Sequence, residues 1–134
     1  MMSTSAPSNL PTVLLVEDHA DSRQMYAEFL RMQFTVVEAG DGVNALEVME
    51  ETLPDVVVTD LALPRMDGYE LVRRMKDNDR LRLVPVIALS GFSGADHENR
   101  ARQAGASVVL QKPCLPDELA RTIAEAATSR KEPR

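Results

Sequence analysis

Residues 56–60 read Val56-Val57-Val58-Thr59-Asp60, a run of β-branched side chains followed by a carboxylate. A continuous apolar run of this kind is typical of a strand that is buried on both faces of a parallel sheet. Comparable runs occur at Val13–Val16, Val84–Leu89 and Val108–Leu110, and a shorter run at Phe34–Val37 is expected near a sheet edge. The sequence therefore predicts five strands.

Helical patterns fill the gaps between these strands. Apolar residues recur at helical spacing near residues 19–32, 42–53, 68–77 and 116–128, whereas residues 94–104 are helical by composition and offer only alanines for packing. On these patterns Met25 and Leu53 belong to buried helix faces, and His97 belongs to a solvent-facing one. The alternation of strands and helices predicts an α/β fold with a parallel sheet, helices on both faces and right-handed crossovers.

Composition narrows the possible functions. The chain has 134 residues, enough for one domain, and its formal net charge of −6 argues against a nucleic-acid partner. No apolar run approaches the roughly 20 residues of a membrane span. The single cysteine, Cys114, and the lack of a signal peptide favour a reducing cytoplasm. Residues 1–10 and 129–134 are expected to be disordered tails around one domain at residues 11–128.

Polar residues follow the predicted strands at positions where they can share one site. Glu17 and Asp18 follow the first strand, and Asp60 follows the third. Ser90 and Lys112 come after the fourth and fifth strands. Because the carboxyl ends of parallel strands meet at one edge of a sheet, where doubly wound α/β proteins bind ligands, these side chains are expected to lie together.

Charge makes a divalent cation the expected occupant of this edge. If the first and third strands are neighbours, Asp18 and Asp60 lie about 4.8 Å apart, and carboxylates this close repel each other strongly. Mg²⁺ with carboxylate and water ligands relieves that repulsion. Ser90, on the next strand, and the long side chain of Lys112 then suit a phosphoryl group carried by Asp60.

Five short motifs occur in order along the chain: Val13–Asp18, Val57–Gly68, Ala88–Ser90, Gly105-Ala106 and Lys112-Pro113. Together they resemble the receiver domain of bacterial response regulators, over roughly residues 11–128. The resemblance implies a flavodoxin-like, doubly wound (βα)5 fold with strand order 2-1-3-4-5. It also implies that a sensor histidine kinase or a histidine phosphotransfer protein phosphorylates the aspartate at the end of the third strand.

On the metal side of the site, the resemblance implies that Mg²⁺ is bound by Asp18, Asp60 and the backbone carbonyl of Ala62, with Glu17 assisting through water. Ala62 and Phe92 also occupy the two positions that commonly tune dephosphorylation in this family. Alanine cannot orient an attacking water, and a phenylalanine ring can shield the phosphoryl group. A slowly hydrolysing phosphoaspartate is therefore predicted.

On the phosphoryl side, the resemblance implies that Ser90 and Lys112 contact the phosphoryl oxygens and that the Lys112–Pro113 peptide bond is cis. The family usually has a tyrosine or phenylalanine three residues before this lysine, and its ring changes packing when the hydroxyl residue moves. Val109 stands there in this chain, so the usual linkage from hydroxyl to aromatic ring is absent. His19 is expected at the rim of the site without a chemical role.

The predicted function is that of a phosphoacceptor that signals by contact. It is not a turnover enzyme, and its only chemistry is Mg²⁺-dependent self-phosphorylation and slow dephosphorylation. Phosphorylation is expected to switch a protein-interaction surface at about residues 90–128 toward an unknown downstream protein, in a monomer or weak dimer.

Two alternatives stay open. The first is a constitutive adaptor, which unchanged partner binding after Asp60→Asn would favour. The second is a dinucleotide-binding fragment, because Gly40–Ala45 fits the pattern G-x-G-x-x-A between a strand and a helix. A simple turn into the second helix is the preferred interpretation of these glycines, since a nucleotide site would leave Glu17 and Lys112 without a role.

Overall fold

The computed structural model describes residues 10–91 and 94–131. Within them, strands and helices alternate in the order β1 (Thr12–Val16), α1 (Ala20–Leu30), β2 (Thr35–Ala39), α2 (Gly42–Glu51), β3 (Val56–Asp60), α3 (Gly68–Lys76), β4 (Val86–Ser90), α4 (Ala95–Ala104), β5 (Val108–Gln111) and α5 (Pro116–Lys131). All strand pairs are parallel, and the sheet order is β2-β1-β3-β4-β5. The flavodoxin-like fold predicted from the sequence is therefore confirmed.

The helices cover the two faces of the sheet in two groups. Helices α1 and α5 pack on one face, where Leu30 and Ile123 are fully buried against strand residues such as Leu15. Helices α2 and α3 pack on the other face, where they bury Met49 and Met75. Because successive strand side chains point to opposite faces, two buried faces account for the continuous apolar character of β1, β3 and β4.

Strand boundaries and edges differ from the predictions in three places. Residues 108–110 are only partly buried, because β5 forms an edge of the sheet, so the prediction that both of its faces are buried is wrong. Phe34 is buried but precedes β2, since its amide donates to the Leu30 carbonyl and closes the turn after α1. Strand β4 begins after Pro85, whose carbonyl accepts the amide of Val57.

The burial predicted from helical periodicity is wrong for three side chains. Met25 is 46% exposed, because the buried face of α1 is formed by the residues after it. Leu53 is 41% exposed and lies beyond the end of α2. His97 is half-buried because its ring faces Tyr69.

Helix α5 extends three residues past its predicted end, into the stretch expected to be a tail. No helix in the described part of the chain has the length and apolar character to cross a membrane.

Helix α4 is held differently at its two ends. After its carboxyl end, Gly105 has a φ of +127°, and a Cβ there would lie 2.5 Å from Cγ of Lys76. The Lys76 ammonium donates to the carbonyls of Arg82, at 3.0 Å, and Val84, at 3.1 Å. Before its amino end, a Cβ on Gly94 would meet no heavy atom of the described residues within 4 Å. The closely fitted end of this helix is its carboxyl end.

Candidate functional site

The carboxyl ends of four neighbouring strands bring the predicted site residues to one edge of the sheet. Asp60 ends β3 and Ser90 ends β4, and both side chains are buried. Glu17 follows β1 and is also buried. Ladder pairing continues past the end of β5, because the Lys112 amide donates to the Ser90 carbonyl at 2.8 Å. The lysine stem therefore starts two strands away from Asp60 and crosses that gap.

One ammonium group is shared by two buried carboxylates. The Lys112 Nζ lies 2.8 Å from Oδ2 of Asp60 and 3.2 Å from Oε1 of Glu17. The second oxygen of Glu17, Oε2, accepts the backbone amide of His19 at 3.1 Å. The long side chain of Lys112 thus ties the acid after β1 to the acid at the end of β3.

Burial and charge shift the pKa values of these three groups in different directions. Burial raises the pKa of the Asp60 carboxyl, and the Glu17 charge adds to this rise against the lowering effect of Lys112. Burial would also raise the pKa of Glu17, but the His19 amide and the Lys112 ammonium bring the net value below the usual one. The pKa of Lys112 is raised, because its bonds to the carboxylates outweigh its own burial.

The donor set at this edge fits a magnesium ion. Glu17 and Asp60 share a single ammonium, and Asp18 adds a third carboxylate beside Glu17. Donor atoms of Glu17, Asp18 and His19 all lie within 4.8 Å of one another. Hard oxygen ligands with an excess of negative charge are what Mg²⁺ prefers. His19 is 76% exposed at the rim, where its Nδ1 lies 3.6 Å from Oδ1 of Asp18.

The loop after β3 folds back tightly onto the Asp60 backbone. The amide of Gly68 donates to the Leu61 carbonyl at 2.9 Å. A Cβ on Gly68 would lie 2.3 Å from the carbonyl oxygen of Asp60 and 2.7 Å from Cα of Leu61. Ala62 is exposed at the start of this loop. Gly68 ends the motif Val57–Gly68, but nothing in the motif's spacing indicated its contact with Asp60.

The loop that presents the lysine is supported by a tyrosine that sequence reasoning missed. The Lys112–Pro113 peptide bond is cis. One residue further on, the carbonyl of Cys114 accepts the hydroxyl of Tyr26 at 2.7 Å, from helix α1. Tyr26 stood on the predicted buried face of α1, but no sequence signal indicated a polar partner 88 residues away.

A small buried group of side chains surrounds the position where the family usually has an aromatic residue. We call this group the α4 cluster; it consists of Leu61, Tyr69, Ala88, Ala101 and Ala106. Val109 is partly buried and packs against the cluster. Phe92, predicted to shield the phosphoryl group, lies outside the described residues. Tyr69 was not singled out by the sequence analysis.

The amino end of α2 is occupied by protein groups, which disfavours the dinucleotide alternative. Asp41 caps this helix, because its Oδ1 accepts the amide of Asn44 at 2.8 Å. Its other carboxylate oxygen forms an ion pair with Arg65. A Cβ on Gly42 would lie 3.1 Å from Met66, so the loop packs against protein where a pyrophosphate would need room. These glycines serve the turn into α2.

Known proteins of similar sequence include response regulators and a histidine kinase. PdtaR, a transcriptional regulatory protein of Mycobacterium tuberculosis, is 39% identical over 131 residues, which cover 96% of this chain and 62% of PdtaR. The polar-differentiation response regulator DivK of Brucella anthropi is 31% identical over 103 residues, which cover 76% of this chain and 84% of DivK. The chain spans only 8% of a hybrid signal transduction histidine kinase of Dictyostelium discoideum that it also matches.

Solved structures and a family model point the same way. The chemotaxis response regulator CheY4 of Vibrio cholerae has a TM-score of 0.83 and 27% identity, and the match covers 88% of this chain and 99% of the CheY4 chain. The family model for the response regulator receiver domain matches residues 13–124. This range contains all five strands, except for the first residue of β1. The chain therefore belongs to the response regulator receiver domain family.

Proposed function

We propose that Asp60 is the phosphoacceptor of a two-component or phosphorelay system, with a sensor histidine kinase or histidine phosphotransfer protein as the phosphodonor. The observation that carries this proposal is the 2.8 Å contact between the Lys112 ammonium and Asp60, at an edge that holds more carboxylates than cations. A phosphoryl group on Asp60 would keep that ammonium as a partner, since it adds oxygen acceptors of its own.

The proposed reaction is in-line attack of an Asp60 carboxylate oxygen on the phosphorus of a phosphohistidine. The new O–P bond forms as the P–N bond breaks, and the imidazole nitrogen keeps the electron pair. Lys112 and the Ser90 hydroxyl then donate to phosphoryl oxygens, which positions and partly neutralises the group.

The magnesium side of the site belongs to the same proposal. Asp18, Asp60 and the Ala62 carbonyl would hold Mg²⁺, and Glu17 would assist through water. When bound, the ion neutralises charge on the reacting oxygens.

Labelling by a small phosphodonor tests this assignment. With acetyl phosphate and Mg²⁺, the protein is expected to gain the mass of one phosphoryl group, and Asp60→Asn is expected to gain none. Asp79→Asn is the matched control, because Asp79 is exposed on the loop after α3 and pairs only with Arg82 among the described contacts. Intact-protein mass spectrometry measures the product. Equal labelling of Asp60→Asn and wild type would refute the assignment, and removing Mg²⁺ is expected to suppress labelling in wild type.

The phosphorylated form is predicted to be long-lived. Ala62 is exposed beside the site and offers no polar atom on its side chain to orient an attacking water. Ala62→Asn supplies such a group and is expected to shorten the half-life of the phosphoaspartate by about tenfold. The half-life is followed after the phosphodonor has been removed by rapid desalting. A wild-type half-life of only seconds without a phosphatase would contradict the prediction.

A contact surface at about residues 90–128 is the proposed output of phosphorylation, in a monomer or weak dimer. The constitutive-adaptor alternative makes a different prediction for the unknown downstream protein. Beryllofluoride with Mg²⁺, a phosphoryl mimic, should change which proteins are retained in a pull-down if phosphorylation controls the surface. An identical set of retained proteins with and without beryllofluoride would favour the adaptor.

A further inference from the structure

Tyr69 supplies the aromatic ring of the α4 cluster. Three of the five buried members of the cluster are alanines, and the ring of Tyr69 is 4% exposed among them. Val109, at the position where receiver domains usually carry the switching aromatic residue, packs against the same cluster from β5. An aromatic ring is thus present in this region, but it comes from α3 instead of β5.

The backbone that carries Tyr69 lies directly on the backbone of the phosphoacceptor. The preceding residue, Gly68, donates its amide to Leu61 at 2.9 Å, and a Cβ on Gly68 would overlap the Asp60 carbonyl. Close-packed protein interiors have low compressibility, so a displacement of one group is passed on to the groups that touch it. A shift of the Asp60–Leu61 segment therefore displaces the start of α3, and Tyr69 with it.

Two polar contacts join the Tyr69 side chain to helix α4. Its hydroxyl lies 3.3 Å from Nδ1 of His97, and the guanidinium carbon of Arg100 lies 4.0 Å from the centre of its ring. His97 and Arg100 are three residues apart and share one face of the helix. The helix buries only alanines of its own, Ala101 and Ala104, so contacts from neighbouring elements weigh heavily in its position.

We propose that Tyr69 is a positioning residue that transmits phosphorylation of Asp60 to helix α4. The inference rests on the proposed function, since it requires Asp60 to be the phosphoacceptor. Added charge at Asp60 moves the Asp60–Leu61 segment, Gly68 and Tyr69 move with it, and His97 and Arg100 carry the displacement into α4. The chain thereby has a linkage to α4 that does not need an aromatic residue at position 109.

A double variant, Tyr69→Phe with Arg100→Met, tests the linkage. It removes both polar contacts with α4 and leaves the buried ring in place, so the core of the fold is preserved. Arg102→Met is the control, because Arg102 lies on the same helix and contacts Glu98 and the Ser107 carbonyl instead of Tyr69. Beryllofluoride with Mg²⁺ is added to each protein. ¹⁹F NMR reports binding of the mimic, and amide hydrogen exchange reports the response of residues 95–104.

In wild type and Arg102→Met, the mimic is expected to change the exchange rates of α4 amides by about tenfold. A factor of this size corresponds to a typical coupling free energy between two sites. In the double variant the change is expected to fall to about twofold or less, with the mimic still bound. A wild-type response of α4 in the double variant would overturn the inference alone. Failure of the mimic to bind wild type would overturn the proposed function, and the inference with it.

Discussion

Gly68→Ala is expected to destabilise the fold by about 3 kcal/mol, the upper range for overpacking a core. The added Cβ would lie 2.3 Å from the Asp60 carbonyl oxygen and 2.7 Å from Cα of Leu61. Both are backbone atoms of the central strand or its immediate continuation, so they cannot rotate away as a side chain could. Helix propensity alone predicts the opposite sign, since alanine is better than glycine in a helix by about 1 kcal/mol.

Urea unfolding measures this effect, and Gly91→Ala is its control. Gly91 is exposed, and a Cβ there meets no described atom within 4 Å. The free energy of unfolding of the Gly91→Ala protein should therefore differ from that of wild type by no more than about 0.5 kcal/mol. The two variants exchange the same residue types near the same edge of the sheet. Equal unfolding midpoints for the two variants, with unchanged urea dependence, would show that the close approach at Gly68 has no energetic consequence.

Lys112→Met is expected to lower the free energy of unfolding at neutral pH by about 3 kcal/mol, because it leaves two buried carboxylates without their shared ammonium. Glu17 and Asp60 both contact that ammonium, at 3.2 Å and 2.8 Å. Methionine keeps much of the length and apolar character of the lysine stem, so the loss reflects charge more than packing. Urea unfolding in a buffer free of Mg²⁺ gives the value.

A double-mutant cycle separates this electrostatic effect from damage to the loop. Asp60→Asn in the Lys112→Met background removes one of the two carboxylates that have lost their counter-charge. The double variant should therefore be more stable than Lys112→Met, although it carries one more substitution. If Asp60→Asn instead destabilises the Lys112→Met protein further, shared neutralisation by Lys112 is not what holds the site together.

The fold could be predicted because most strands are continuous apolar runs rich in β-branched residues. At the ends of three strands an acid or a hydroxyl residue follows. That pattern defined β1, β3 and β4, since both faces of these strands are buried. It failed for β5, whose residues 108–110 read the same but lie at the sheet edge. The shorter run at Phe34–Val37 did indicate the edge strand β2, but the continuous run of β5 did not distinguish an edge strand from a central one.

The candidate site was predictable to the extent that it follows strand ends. Asp60 and Lys112 come together because β3, β4 and β5 are adjacent and parallel, which the predicted order implies. Gly68, at the start of α3, lies against the backbone of Asp60 and Leu61, and Tyr69 contacts helix α4. No spacing rule reveals such contacts. Arg65 is a further example: its φ of 68° is unusual for a residue with a side chain, and nothing in its neighbours indicated it.

The two ends of helix α4 are held to different degrees, so the helix is expected to tilt about its carboxyl end. At the carboxyl end, Gly105 is fitted against the stem of Lys76, whose ammonium binds backbone carbonyls, and that end acts as the pivot. At the amino end, a Cβ on Gly94 would meet no heavy atom of the described residues within 4 Å, and the contacts of His97 and Arg100 with Tyr69 lie between the two ends. A displacement of Tyr69 is therefore expected to move the amino end of the helix further than its carboxyl end, and the amino end is the one nearer to Ser90 along the chain.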